Sequence, residues 1–204
     1  MSKTNISIRN PNHPKKGSSI KVAPITDLQA IEKIKYTLRE NLRDLCLFTF
    51  GINTAYRANE LVSIKVGQVA HLNAGDRLEI KQSKNGKYRA ATLNENVIKA
   101  LRDWLRVHPE PEPEAPLFRS FKTREALTAT TLTAMVKDWC AKADLDGNYG
   151  SHTLRKTWGY HQRKTFKQPT ALLSVAFGHS SERQTMDYLC IQPTEIEHLY
   201  TGAL

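Results

Sequence analysis

The chain has 204 residues, 40% of them hydrophobic, and a formal net charge of +10 from 30 Lys and Arg against 20 Asp and Glu. That length and apolar content suit one packed domain with a short extension, and the excess of positive charge calls for a polyanionic partner. No apolar run approaches the roughly 18 residues of a membrane span and no signal or lipidation motif is present, which puts nucleic acid ahead of a membrane surface.

Residues 1–24 carry Lys3, Arg9, Lys15, Lys16 and Lys21 with no acidic residue, and are broken by Pro11, Pro14, Gly17 and Pro24. They read as a flexible basic arm, which either contacts DNA or merely solubilises. The folded domain is expected over 25–204. Thr26 with Gln29 has the pattern of a capping box for a helix to about residue 38. Residues 41–54 are apolar on most sides and predict a buried central helix, followed by a short one over 58–64. The period then falls to two. Leu78 and Ile80 alternate with Arg77, Glu79 and Lys81, and 88–93 gives a second strand. Asn85-Gly86 between them signals a hairpin, because both central residues of a type I′ turn need positive φ. A further strand over 65–69 is expected to complete a small antiparallel sheet.

Helical spacing then returns. Val97, Leu101, Trp104 and Leu105 share a face behind Asn94, a potential cap. Glu110-Pro-Glu-Pro-Glu114 is an extended acidic loop. A helix is predicted over 130–144, one from Ser151 as cap to 164, and one opened by Pro169. Ser181 with Gln184 forms a second capping box for the helix that bears Tyr188. Ile196, Leu199 and Tyr200 mark a last amphipathic helix within 193–204. The predicted fold class is mainly α with a small antiparallel β-sheet (α+β). Cys46, Cys140 and Cys190 read as reduced core thiols, and no Cys/His grouping has metal-ligand spacing.

Few polar residues sit in structurally awkward places. Arg57 follows the central helix, and Lys84 sits in the hairpin turn. His152 and Arg155 share one face of a helix start. His179 follows Gly178 at the end of an apolar helix, and Tyr188 comes nine residues later. Each alone has a plain structural reading. Arg57 could pair with Glu60, Lys84 could be an exposed turn lysine with Lys87 as its rival, and Tyr188 could be a core aromatic.

Taken in order, these boxes resemble the tyrosine recombinase (phage integrase) family over roughly 26–204. Asn53-Thr-Ala-Tyr-Arg57-Ala-Asn-Glu60-Leu61 is similar to the family's TGLR-xx-EL segment, and Ser83-Lys-Asn-Gly-Lys87 to its K-T-G-K turn. His152-Thr-Leu-Arg155 matches its H-x-x-R box and Gly178-His179 its LGH box. The resemblance implies a catalytic set of Arg57, Lys84, His152, Arg155, His179 and Tyr188. In it the tyrosine attacks a DNA phosphate to give a 3′-phosphotyrosyl link and a free 5′-hydroxyl, with no metal or other cofactor. Two arginines suit the charge of a five-coordinate phosphorus, since each presents a planar fork that stays protonated. Lys84 suits the acid for the leaving oxygen. His152 and His179 suit donors to the phosphate, and His152 is also a candidate acceptor for the phenolic proton.

The implied partners are double-stranded DNA and further copies of the chain, monomers when free and a tetramer on paired sites, with room for accessory DNA-bending proteins. The implied location is cytoplasmic, in a prokaryote or from a phage. The sequence departs from the family in Ala55-Tyr56, where Gly-Leu is usual, and in Ala58-Asn59, where Ser or Thr often precedes Glu. It also shows no separate core-binding domain, as expected either of a fragment or of the single-domain members. The segment over 193–204 docks either on its own domain or on a neighbour. A type IB topoisomerase and a regulator that has lost turnover are the competing readings.

Overall fold

The computed structural model describes residues 22–81 and 88–189. The expected hairpin turn with Lys84 and Lys87, the arm before Val22 and the segment from Cys190 onward lie outside these residues.

Helix α1 (Leu28–Thr37) is capped by Asp27, whose carboxylate accepts from the N–H groups of Gln29 and Ala30 at 2.9 and 3.3 Å. The expected cap, Thr26, is displaced because a carboxylate serves two N–H groups at once and faces the positive end of the helix. Helix α2 (Leu42–Thr54) is the centre of the core, with Cys46, Leu47, Phe48 and Phe50 fully buried. Each such side chain contributes roughly 1.5–3 kcal/mol. Helix α2 packs against α5 (Glu95–Leu105), capped by Asn94 as expected, and α7 (Ser151–Lys164). At Gly51 a Cβ would lie 2.5 Å from Leu154 Cδ1, so only glycine admits α7 this close. Phe48 also meets Trp139 of α6 (Ala129–Lys142) edge to face at 5.9 Å.

After α3 (Ala58–Val62), residues 65–69 do not form the expected strand. Lys65 makes an isolated bridge to Pro116, and Val66–Val69 is a single helical turn, α4. The backbone there bonds to the acidic loop, with Val66 N–H to Ala115 O and Gly67 N–H to Pro113 O. Val66 and Val69, three apart, then bury together on one side of the turn. Among the described residues the sheet is therefore two antiparallel strands, β1 (Arg77–Lys81) and β2 (Tyr88–Thr92), with Leu78 opposite Ala91 and Ile80 opposite Arg89. The buried Tyr56 hydroxyl donates to Leu78 O at 2.7 Å and ties the sheet to the end of α2.

Helix α7 starts one residue differently from expectation. Gly150 is the cap and Ser151 the first helical residue, because the Thr153 hydroxyl takes the Gly150 N–H at 3.1 Å. Residues 22–27 run along one edge of this helix. Ala23 N–H donates to Asn148 O, the Thr153 hydroxyl donates to Ala23 O, Ile25 N–H donates to Thr157 Oγ1, and His161 Nε2 bonds Ile25 O, all within 2.8–3.0 Å. Thr153, Thr157 and His161 are four residues apart and so share that edge. His152, Arg155 and Lys156 are left to the other sides. Helix α8 (Thr170–Phe177) follows Pro169, and α9 (Glu182–Tyr188) is capped by Ser181. The second half of that expected capping box moves by one residue, since Gln184 accepts from Ser180 N–H rather than from Ser181.

Cys46 and Cys140 are buried free thiols whose pKa burial raises, that of Cys140 to about 12. No helix among the described residues is long and apolar enough to cross a membrane.

Candidate active site

The site forms where α3, α7, α8, α9 and β2 meet, over a small apolar cluster of Ala55, Leu173, Phe177 and Leu189. Ala55 ends α2 in the left-handed conformation, φ 57°, and turns the chain so that Arg57 caps α3. The Glu60 carboxylate takes the Arg57 backbone N–H at 2.7 Å and its guanidinium at 3.1 Å. The Glu60 side chain is 5% exposed and that of Arg57 39%, so a buried anion anchors a cation that reaches solvent.

Arg155 is almost wholly buried. Its guanidinium donates to Ala55 O and, at 2.7 Å, to Phe177 O. It lies over the Phe177 ring at 4.6 Å and 5.8 Å from the Tyr188 centroid. Burial lowers its pKa to about 10; Tyr188 opposes the shift, and Arg89 and Arg57 add to it. Arg155 therefore remains cationic near neutrality.

Gly178 closes α8 in the left-handed conformation, φ 58°, and sets His179 against Phe177 and Tyr188. The His179 ring stacks on Phe177 at 5.1 Å and meets Tyr188 edge to face at 5.3 Å. Its Nδ1 begins a chain of hydroxyls, with Thr185 Oγ1 at 2.8 Å, Ser174 Oγ a further 2.8 Å on, and Thr170 O 3.1 Å beyond. Counting protons decides the tautomer. A carbonyl only accepts, so Ser174 donates to Thr170 O, Thr185 donates to Ser174, and His179 Nδ1–H donates to Thr185. In the neutral ring Nε2 is then an acceptor. Neutral it is: desolvation, then Arg155, Arg57 and Arg89, lower its pKa to about 4.

Tyr188, on α9, packs edge-on against Phe177 at 5.3 Å, its hydroxyl oxygen buried, and Lys156 Nζ lies 5.1 Å from its ring centroid. His152 is exposed at the first turn of α7. Lost hydration, then Arg155, Lys156 and Arg57, lower its pKa. Five of the six sequence candidates, Arg57, His152, Arg155, His179 and Tyr188, thus share one neighbourhood. The sixth, Lys84, lies outside the described residues.

Sequence reasoning missed Arg89, Ser174, Thr185 and Lys156 as parts of this neighbourhood. A signal existed for two of them. Ser174 is the one hydroxyl within the apolar run of α8, and Arg89 occupies an inward position of a period-two strand.

The family model described as "Phage integrase family" matches residues 25–195. The chain belongs to the phage integrase family. It is a tyrosine recombinase catalytic domain, an enzyme domain of site-specific DNA recombination. It is 33% identical over 171 residues to the probable integrase/recombinase YoeC of Bacillus subtilis, covering 83% of this chain and 90% of that one. It is 29% identical over 157 residues to the tyrosine recombinase XerC of Caldanaerobacter subterraneus, covering 76% of this chain and 43% of the relative. The chain thus spans nearly all of the first of these relatives and less than half of the second. Its fold is that of the XerA recombinase, with TM-score 0.71 and 19% identity over 88% of this chain and 65% of the other. It is also that of the XerH recombinase in a post-cleavage complex with its difH substrate, with TM-score 0.71 and 22% identity over 90% and 54%. Within the family's usual pattern Ala55 replaces a glycine, and the structure puts the left-handed residue there.

Proposed function

We propose that this domain breaks and rejoins duplex DNA through Tyr188. The supporting observation is the packing of Tyr188, His179 and Arg155 around the single ring of Phe177. The Tyr188 oxygen forms a bond to a backbone phosphorus as the bond from phosphorus to the 5′-oxygen breaks. The product is a 3′-phosphotyrosyl link, and a 5′-hydroxyl reverses the step without ATP because the bond energy is kept. Arg57 and Arg155 meet the charge of the five-coordinate phosphorus; losing one such donor costs about 10²–10³ in rate. Lys84 protonates the leaving 5′-oxygen. His152 donates to a non-bridging oxygen. In this reading His179 Nε2, an acceptor in the assigned tautomer, takes the tyrosine proton instead of donating to the phosphate, and the edge-to-face contact of the two rings supports it. Fixed cations perform the charge work, with no metal or other cofactor.

The partners in this reading are double-stranded DNA and other copies of the chain, monomeric when free and tetrameric on paired sites, with accessory DNA-bending proteins as helpers, in the cytoplasm. The arm over 1–24 adds phosphate contacts to the domain over 25–204.

A suicide-substrate trap tests the chemistry. Nicked duplexes with a randomised core are offered to the full chain, and SDS-resistant adducts are recovered and sequenced. The expected result is an adduct whose DNA-bearing peptide contains Tyr188. Adducts on another residue, or none from any core, would overturn the reading.

A further inference from the structure

The tyrosine reaction does not by itself account for the position of Arg89. This residue lies in β2 opposite Ile80, where the strand's alternation calls for an apolar side chain, and it is 5% exposed. A buried charge is costly unless fully partnered, and here every partner belongs to the site. Its Nε faces the Glu60 carboxylate at 3.3–3.4 Å. One terminal nitrogen donates to Ala176 O and the other to Phe177 O at 2.8 Å. The same Phe177 carbonyl receives Arg155 at 2.7 Å.

These bonds close a ring. Arg57 is held by Glu60, Glu60 by Arg89, Arg89 by the Phe177 carbonyl, and that carbonyl by Arg155. Arg155 in turn holds Ala55 O, two residues before Arg57. Arg89 joins the half of the site carrying Arg57 to the half carrying Arg155 and His179. Gly178 supplies the room: a Cβ there would sit 2.9 Å from Arg89 Nη2. The residue before His179 is thus restricted to glycine by this guanidinium as well as by its positive φ.

We infer that Arg89 is a positioning residue: through Glu60 and the carbonyls of Ala176 and Phe177 it aims Arg57 and fixes the turn that presents His179. The inference rests on the proposed tyrosine chemistry for its effect on rate, while its effect on the turn stands apart from DNA. Lysine at this position keeps the charge opposite Glu60 but lacks the fork that spans two carbonyls.

Two measurements on full-length Arg89→Lys and Arg89→Gln decide it. The first is NMR of the His179 ring in the free protein. In Arg89→Lys, which conserves charge, the ring nitrogen signals are expected to move toward those of an unconstrained imidazole as the Nδ1–H tautomer loses its fixed partner. Unchanged signals would overturn the inference. The second uses the DNA core recovered in the trapping experiment, made with either an ordinary or a neutral methylphosphonate group at the scissile position. On the ordinary phosphate both variants should bind as the parent does and form adduct about 10²-fold more slowly, the scale of an ångström-sized misplacement. On the methylphosphonate, which asks less of the arginines, that loss should shrink. Parental rates, or the same loss on both substrates, would make Arg89 a core ion pair and nothing more, as would failure of both variants to fold. A parent that traps no DNA would overturn the function proposed above, leaving the NMR result to decide the role of Arg89 in the turn.

Discussion

The rings of His179 and Tyr188 meet edge to face with centroids 5.3 Å apart, at 74°. An imidazole with its acceptor nitrogen in that neighbourhood suits the deprotonation of a phenol whose free pKa is near 10. Tyr188→Phe is expected to bind DNA with parental affinity, since phosphate contacts elsewhere supply most of it, and to form no covalent adduct. An adduct that persists in Tyr188→Phe would move the nucleophile to another residue.

Thr185→Val keeps the shape of the side chain and cuts the hydroxyl chain. His179 Nδ1–H then loses its acceptor, and the ring is free to exchange tautomers. We expect parental DNA affinity, a loss of about 1 kcal/mol in stability, and a slower adduct-forming step. Thr185→Ser, which restores the hydroxyl, should recover most of the rate. If Val and Ser variants cleave alike, the chain of hydroxyls has no part in orienting His179.

The pH dependence of stability follows from the depressed pKa of His179, about 4 in the folded protein against an ordinary 6.5. Between those values the unfolded chain binds the proton and the folded one does not, so stability rises with pH in that window. The contribution is complete above about 6.5, and falls away as pH drops toward 4. His152 shifts in the same direction. Urea unfolding from about pH 4.5 to 7.5 should show a shallower rise for His179→Gln than for the parent. Equal slopes would mean that the ring takes up its proton as readily folded as unfolded.

Ala55 holds a left-handed conformation that costs an L-residue roughly 1–2 kcal/mol. Ala55→Gly should raise the unfolding free energy by up to about 1 kcal/mol, glycine's greater freedom when unfolded offsetting part of the relief. Denaturant titration measures this directly. A drop in stability would show that packing of the Ala55 Cβ in its apolar cluster outweighs the strain.

Deleting residues 1–21 while keeping Val22–Ile25 tests the basic arm. If the arm touches DNA, the slope of log K against log[salt] should become shallower by about 0.9 for each phosphate it had neutralised. An unchanged slope would leave the arm a solubilising tail.

Much of the architecture was legible because its signals are local. Asn94, Ser181 and the apolar face of α5 each announce themselves within a few residues, and the alternation of Leu78 and Ile80 marks β1. Residues 65–69 misled because two valines three apart fit a strand or a helical turn, and the choice was made by carbonyls of the distant loop at Pro113 and Ala115. The same reason hides the role of Arg89, though its inward place in the strand alternation is visible. Its partners are a carboxylate 29 positions away and two backbone carbonyls, which have no sequence signature. The boxes around Arg57, Arg155 and Tyr188 form a recognisable set by their order and residue types. Their mutual geometry required α8 to fold back over Arg155.

The strap of residues 22–25 has a practical consequence for grafting. It reaches the domain at Val22, 3.5 Å from where a Cβ of Gly150 would be, beside the helix start that carries His152. It then leaves toward α1 along the edge made by Thr153, Thr157 and His161. A foreign DNA-reading module spliced on at residue 21 would be delivered to that end of α7 whatever its own shape. Chimaeras that keep Val22–Ile25 would inherit a fixed tether point at the start of α7, and those that cut into it would expose the Thr157 and His161 edge to water.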